Sequence, residues 1–265
     1  MTTLPDALLQ VTSKPNLPGS QRMLHVLAQY RKAVPNGPSL SWFVDVALGR
    51  EPPVNATLHK VDQEIEGPSI RRAIRAVQPA SVRIAMGGSG VNLHPDGLIL
   101  TAAHVPDWLG RQTSVLFPNG ERYQALCTHI DTKLDLAILT LVGAKDLPIA
   151  KLAPRAATTG DFVAIIGQPG RSTPEGGLTG YQPFHVSTGV VRGYLPNLLG
   201  GQSLGKMKHD AWTYWGHSGS PLFDRRGDVI GLHNSWDSTT AMRHAVPWKA
   251  ISAFLRAQSI GTPRA

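Results

Sequence analysis

Cysteine is almost absent from this chain of 265 residues. Cys127 stands alone, so no internal disulfide can staple the fold and nothing calls for an oxidising compartment. Long apolar runs are absent too. No stretch approaches the roughly 18 consecutive apolar residues that a membrane-crossing helix needs. The first 25 residues hold no apolar core with a small-residue cleavage site, so no membrane contact and no secretory signal are expected, and the implied location is cytoplasmic. There is no His-Glu-x-x-His and no cysteine pair, and the ten histidines are scattered, so no metal and no cofactor are expected. Internal repeats and low-complexity tracts are missing as well.

What is present is basic. The net charge of +8 falls unevenly: residues 1–67 hold six basic and six acidic residues, and the remainder holds twenty basic against twelve acidic. The cations occur as scattered pairs such as Arg71-Arg72 and Arg225-Arg226, without interleaved aromatics. That pattern reads as a solvated surface, or as attraction for acidic substrates, and nucleic-acid binding is not expected.

With 27 glycines and 21 prolines set between short apolar runs, the chain reads as many short strands joined by turns. Residues 1–20 form an irregular tail. Met23, Leu24, Leu27 and Tyr30 are at helical spacing over 21–33, with Ser20 as N-cap and Pro35 as stop, and Leu40 to Leu48 is a second short helix. Residues 1–67 are therefore an N-terminal extension with short helices, and residues 68–265 are the main domain. Within that domain Ser69 to Val77 is helical. Strands are expected over Ser81 to Met86, Gly90 to Leu93, Leu98 to Thr101, Thr113 to Phe117, Arg122 to Ile130, Leu136 to Val142, Phe162 to Ile166, Ser187 to Val191, Pro221 to Phe223 and Val229 to Asn234. Pro95-Asp96-Gly97, Pro118-Asn119-Gly120 and Arg226-Gly227-Asp228 are turns between them. The fold class is all-β, a barrel or sandwich, closed by a helix over Ala245 to Leu255. Gly176-Gly177 marks a surface loop, and Cys127, after Ala125-Leu126, reads as a buried small hydrophobe.

Three distant segments carry chemistry. They are Thr101-Ala102-Ala103-His104, Asp135-Leu136-Ala137 and Gly216-His217-Ser218-Gly219-Ser220-Pro221. A serine hydroxyl needs a base to take its proton and a carboxylate to hold that base in the right tautomer. The order His, Asp, Ser is one of the known arrangements of such a triad. Asp135 lies beside the apolar run Leu136 to Leu139, where a buried carboxylate needs a partner, whereas Asp131 reads as an exposed turn residue. Glycines around Ser218 allow a tight turn in which the N–H groups of Gly216 and Ser218 point at one spot, an oxyanion hole.

Together these segments resemble the trypsin-like serine protease superfamily, and within it the HtrA/Deg proteases. The likeness runs over roughly 70–256, through Asp96-Gly97-Leu98-Ile99-Leu100-Thr101-Ala102-Ala103-His104-Val105, Ile166-Gly167-Gln168-Pro169-Gly170, Asp210-Ala211 and Ala245-Val246-Pro247. It implies two six-stranded β-barrels with the triad in the cleft between them. HtrA proteases usually carry C-terminal PDZ domains, and this chain ends soon after its closing helix, so a protease domain without PDZ is expected. His217 stands where digestive proteases place an Asp that pairs with a newly cut N-terminus, so activation by that salt bridge is not expected. The Gly-x-Ser-Gly-Ser-Pro segment followed by Ile230-Gly231-Leu232-His233 is also similar to bacterial glutamyl endopeptidases and exfoliative toxins. In that family a Thr five residues before the nucleophile and a His in the following strand hold the substrate's glutamate, and Thr213 and His233 stand at those positions.

The resemblance implies a serine endopeptidase acting on proteins or peptides through an acyl-enzyme on Ser218, after acidic residues with Glu preferred. Two other readings stay open: an HtrA-like protease with small or apolar preference, and a protease-like binding module whose cleft is closed by Trp212, Tyr214, Trp215 and the extension. An inhibitory or adaptor role, exercised through a regulatory protein, is expected of residues 1–67, with no motif behind it.

Overall fold

A computed structural model describes residues 67–85, 87–169, 184–195, 205–237, 240 and 242–260. The tail and helices expected within 1–66, and the loop around Gly176-Gly177, lie outside the described residues.

Helix α1 (Pro68–Val77) opens with Gly67 in the left-handed region and Pro68 in the first turn, where a missing N–H costs nothing. It buries Ala73, Ile74 and Val77. A short 3-10 turn (Gln78–Ala80) leads into the first barrel, made of β1 (Ser81–Ile84), β2 (Gly88–Asn92), β3 (Leu98–Thr101), β4 (Gln112–Leu116), β5 (Arg122–Asp131) and β6 (Leu136–Leu141). Antiparallel pairing in the order β1-β2-β3-β6-β5-β4, with β1 returning to β4, closes it. The second barrel holds β8 (Phe162–Gly167), β9 (His185–Tyr194), β10 (Met207–His209), β11 (Pro221–Phe223), β12 (Asp228–Trp236) and β13 (Arg243–Pro247). The order β11-β8-β9-β10-β13-β12 becomes a ring through the β11–β12 pairing, and β7 (Lys151–Leu152) adds to β12 in parallel. Helix α2 (Trp248–Ala257) follows. The fold is thus all-β, with two six-stranded barrels of the trypsin-like type and two short flanking helices.

Period-two alternation builds three cores at once. On β6, Ala137, Leu139 and Leu141 fill the first barrel while Leu136 and Ile138 face outward. On β8, Val163 and Ile165 fill the second barrel while Ala164 and Ile166 face outward. These outward residues, with Leu100, Phe184, Phe223 and Leu232, meet Ile74 and Val77 of α1 and Phe254 and Leu255 of α2 in one central cluster. That seam joins the barrels and holds the loops at its rim in fixed relation.

One expected element is corrected. The helix over Ala245 to Leu255 begins only at Trp248, because Arg243–Pro247 is strand β13. Ala245 points into the second barrel and Val246 into the seam, which is strand alternation, and Pro247 caps the helix with extended backbone. Strands β7 and β10 were not expected either. Both are very short, and they exist through their neighbours' hydrogen bonds. Cys127 is buried in the first barrel. Among the described residues, no helix is long and apolar enough to cross a membrane.

Candidate active site

Strand β3 ends at Thr101, and the buried Ala102 and Ala103 bring the chain to the rim, where the His104 side chain is half-exposed. Asp135 occupies the turn between β5 and β6 with φ +56°, a left-handed conformation that Asp tolerates better than most residues. Ser218 lies on the loop between β10 and β11. Folding brings the three together. His104 Nδ1 is 2.9 Å from Asp135 Oδ1 and 3.0 Å from Oδ2, and His104 Nε2 is 2.7 Å from Ser218 Oγ. A carboxylate only accepts, so the proton belongs on Nδ1, which leaves Nε2 to accept from the serine hydroxyl. The His104 backbone N–H donates to Asp135 Oδ1 at 3.2 Å, and Asn234 Nδ2 donates to Oδ2 at 3.1 Å. Burial alone would raise the Asp135 pKa. The hydrogen bonds and charge of His104, with the Asn234 amide, outweigh it and hold the carboxyl below its ordinary value.

The Ser218 loop is tied to the first barrel by Ser89 of β2, which is fully buried. The Ser89 N–H donates to Ser218 O at 2.8 Å, and its Oγ donates to Gly216 O at 2.7 Å. The same Oγ accepts from Gln168 N–H at 2.9 Å, and Ser89 O accepts from Thr101 Oγ1 at 2.7 Å. Gly216 adopts φ +95° and Gly219 φ +84°. A Cβ on Gly219 would collide with Ser89 O and Thr101 Oγ1, so this position admits no side chain. Neighbouring amides of the loop are engaged: His217 N–H with Tyr214 O, Gly219 N–H with His233 O and Ser220 N–H with His217 O. Among the described residues the N–H groups of Gly216 and Ser218 donate to nothing.

Thr213 and His233 are both buried, with 8% and 5% of their surface exposed. Backbone bonds stitch His233 to the Ser218 loop, since its N–H donates to Ser220 O at 2.9 Å and its O accepts from Gly219. His209 of β10 backs His233, with Nε2 3.3 Å from His233 Nδ1. Trp212 and Tyr214 stack with rings 6.1 Å apart, and Ser187 Oγ fixes Trp212 by donating to its carbonyl at 2.6 Å. Trp215 turns outward and is 49% exposed.

A family model described as a trypsin-like peptidase domain matches residues 88–232, which take in all three segments and most of both barrels. The chain belongs to the trypsin-like peptidase family. Among its relatives are the HtrA serine proteases. Serine protease HTRA4 of Homo sapiens is 34% identical over 180 residues, covering 63% of this chain and 34% of the relative. Serine protease HTRA3 of Homo sapiens is 32% identical over 176 residues, covering 63% and 37%. The chain thus spans about a third of the length of the curated relatives it matches. A serine endoprotease from Yersinia pestis superposes with a TM-score of 0.57 at 26% identity, covering 74% of this chain and 68% of that one. A protease from M. tuberculosis in its active form superposes at 0.58 and 22% identity, covering 75% and 88%, a likeness of fold alone.

Three of this peptidase domain's histidines, His209, His217 and His233, are buried behind the Ser218 loop beside the part-buried His185, a grouping that the scattered sequence positions do not reveal. The His185 and His217 rings are 5.9 Å apart, His217 and His233 6.4 Å, and His233 and His209 5.4 Å. His217 Nδ1 lies 3.1 Å from both the N–H and the C=O of Tyr214. Burial pushes His185 down to about 4, and burial with the Arg243 charge pushes His209 down to about 3. His217 and His233 also fall well below the ordinary imidazole value, through burial first and neighbouring histidines next.

A measurable consequence is acid lability. The folded-state values lie below the unfolded one, so the unfolded chain binds more protons between them and stability falls as pH falls. The loss begins near pH 6.5 and continues to about 4 for His185 and about 3 for His209. It amounts to several kcal/mol at roughly 1.4 kcal/mol per pKa unit. Thermal melts from pH 7 to 4 are expected to show a steep drop in Tm, and a flat Tm across that range would contradict it.

Among the described residues no group of three His, Cys, Asp or Glu is disposed to hold a metal ion. A cleft of about 450 Å³ on the second barrel, lined by Arg155, Asp161, Phe162, Asp224, Arg225 and Arg226 among others, takes in none of the triad residues.

Proposed function

We propose that residues 68–265 are a serine endopeptidase domain that hydrolyses peptide bonds in proteins or peptides through an acyl-enzyme on Ser218. His104 acts as general base towards Ser218 Oγ and then as general acid towards the leaving amine. Asp135 orients it, and the N–H groups of Gly216 and Ser218 receive the oxyanion. The observation that carries this reading is the unbroken line of contacts from Asp135 through His104 to Ser218 Oγ, 2.7 Å at its last step.

Cleavage after acidic residues, Glu preferred, is supported by the two donors Thr213 and His233 beside the Ser218 loop. A hydroxyl and an imidazole can each donate to a carboxylate. Residues 1–67 are the N-terminal extension through which a regulatory protein acts, and the single cysteine suits a cytoplasmic location. The small exposure of Thr213 and His233 favours one second reading, a binding module with a closed cleft.

A fluorophosphonate probe followed by peptide mapping, with a peptide-library cleavage profile, separates these readings. The expected result is an adduct on Ser218 and cleavage after Glu. No adduct on a folded sample would favour the binding module. Cleavage after Arg or Leu would retain the mechanism and remove the acidic pocket.

A further inference from the structure

An acidic side chain entering a dehydrated pocket needs more than neutral donors, because hydrogen bonds from a hydroxyl and neutral imidazoles leave its formal charge uncompensated. Thr213 carries no charge. His233 and His209 are held neutral by their burial. If the pocket takes glutamate, a cation has to come from elsewhere in the fold.

Strand β13 supplies one at its first residue. Arg243 lies directly opposite His209 on β10 and opposite Trp236 on β12. Two residues on, Ala245 lies opposite Met207 and His233. Ala245 and Met207 pack inside the second barrel, so strand alternation puts Arg243 and His209 on that same inner face. His209 in turn touches His233. Arg243 Nε is buried, and the side chain is held by a further interaction within the chain.

We infer that Arg243 is the specificity-determining cation of this pocket, supplying from the inner face of β13 the positive charge that pairs with a substrate glutamate held by Thr213 and His233. The inference rests on the acidic preference proposed above. Its charge already bears on the cluster: Arg243 contributes to lowering His209, His217 and His233. The same field that adds to the effect of burial on these imidazoles attracts a carboxylate. Because guanidinium stays charged at any working pH, recognition of Glu would not depend on protonating a histidine.

The test compares full-length wild type with Arg243→Gln and Arg243→Lys on matched peptides bearing Glu or its neutral isostere Gln before the scissile bond. The Glu-over-Gln ratio of kcat/KM is expected to fall about 10- to 100-fold in Arg243→Gln, as for loss of a unit charge several Å away in a partly shielded site. Arg243→Lys is expected to restore most of it. An unchanged ratio in Arg243→Gln overturns the inference alone, whereas a wild type that does not prefer Glu overturns the acidic pocket and the inference with it. A thermal melt of each variant reports folding. If Arg243→Gln does not fold, the wild type decides through its pH profile. The titrating groups around the site are His209 at the end of β10, Asp210 just after it, His217, His233 and His244. A Glu-over-Gln ratio constant from pH 6 to 9 supports Arg243, and a ratio that collapses as pH rises assigns the charge to a histidine.

Discussion

Replacement of Ser218 by alanine is expected to lower kcat by about a million-fold, the size of effect that loss of the nucleophile has in serine proteases. Alanine removes the only atom that can form the acyl-enzyme and leaves His104 Nε2 without the hydroxyl that lies 2.7 Å away. The loop around it should persist. Its carbonyls remain held by Ser89, and Gly219 and Ser220 keep their backbone bonds. The N–H groups of Gly216 and Ser218 are backbone groups and survive the substitution, so a residual rate roughly a thousand-fold or more above water is expected. Steady-state hydrolysis of a cleaved peptide, with a thermal melt as control, measures both. Activity equal to wild type in a folded variant would sink the acyl-enzyme mechanism.

Asp135→Asn is expected to cost about ten-thousand-fold in kcat with little change in fold. The backbone conformation at φ +56° suits Asn as well as Asp, so the turn between β5 and β6 has no reason to move. The loss is one of tautomer. The carboxylate accepts from His104 Nδ1, from the His104 N–H and from Asn234 Nδ2. The His104 N–H and Asn234 donate to different oxygens, so the single oxygen of an amide cannot serve both, and its NH₂ lies 2.9 or 3.0 Å from Nδ1 at either end, where Nδ1 can only accept. The imidazole proton shifts to Nε2, and His104 can no longer take the proton of Ser218. KM for peptides should change far less than kcat. A variant that keeps wild-type kcat would show that Asp135 does not set the tautomer.

The three chemical segments were legible because each depends on local pattern: an apolar strand ending in small residues before His104, an aspartate against the Leu136 to Leu139 run, and glycines around Ser218. The long alternating strands of both barrels were legible for the same reason. Strand β13 was not, since Ala250, Ile251, Phe254 and Leu255 do have helical spacing and Ala245-Val246 adjoins them. Only pairing with β10 and β12 shows that the chain is extended until Pro247. Strand β10 has only three residues, too few for its alternation to stand out, so nothing local marks it.

Sequence alone determined the family likeness, the all-β class and the candidate reactive side chains, because covalent neighbours set turn chemistry and strand period. Tertiary structure decided which distant groups serve them. Asn234 reaches Asp135 across 99 residues and Ser89 reaches Gly216 across 127, and His209 meets His233 inside the second barrel beside Arg243. Hydrogen bonds and charges act through space, so a one-dimensional reading sees an ordinary Asn, Ser or Arg until the barrels close and bring their partners within a few Å.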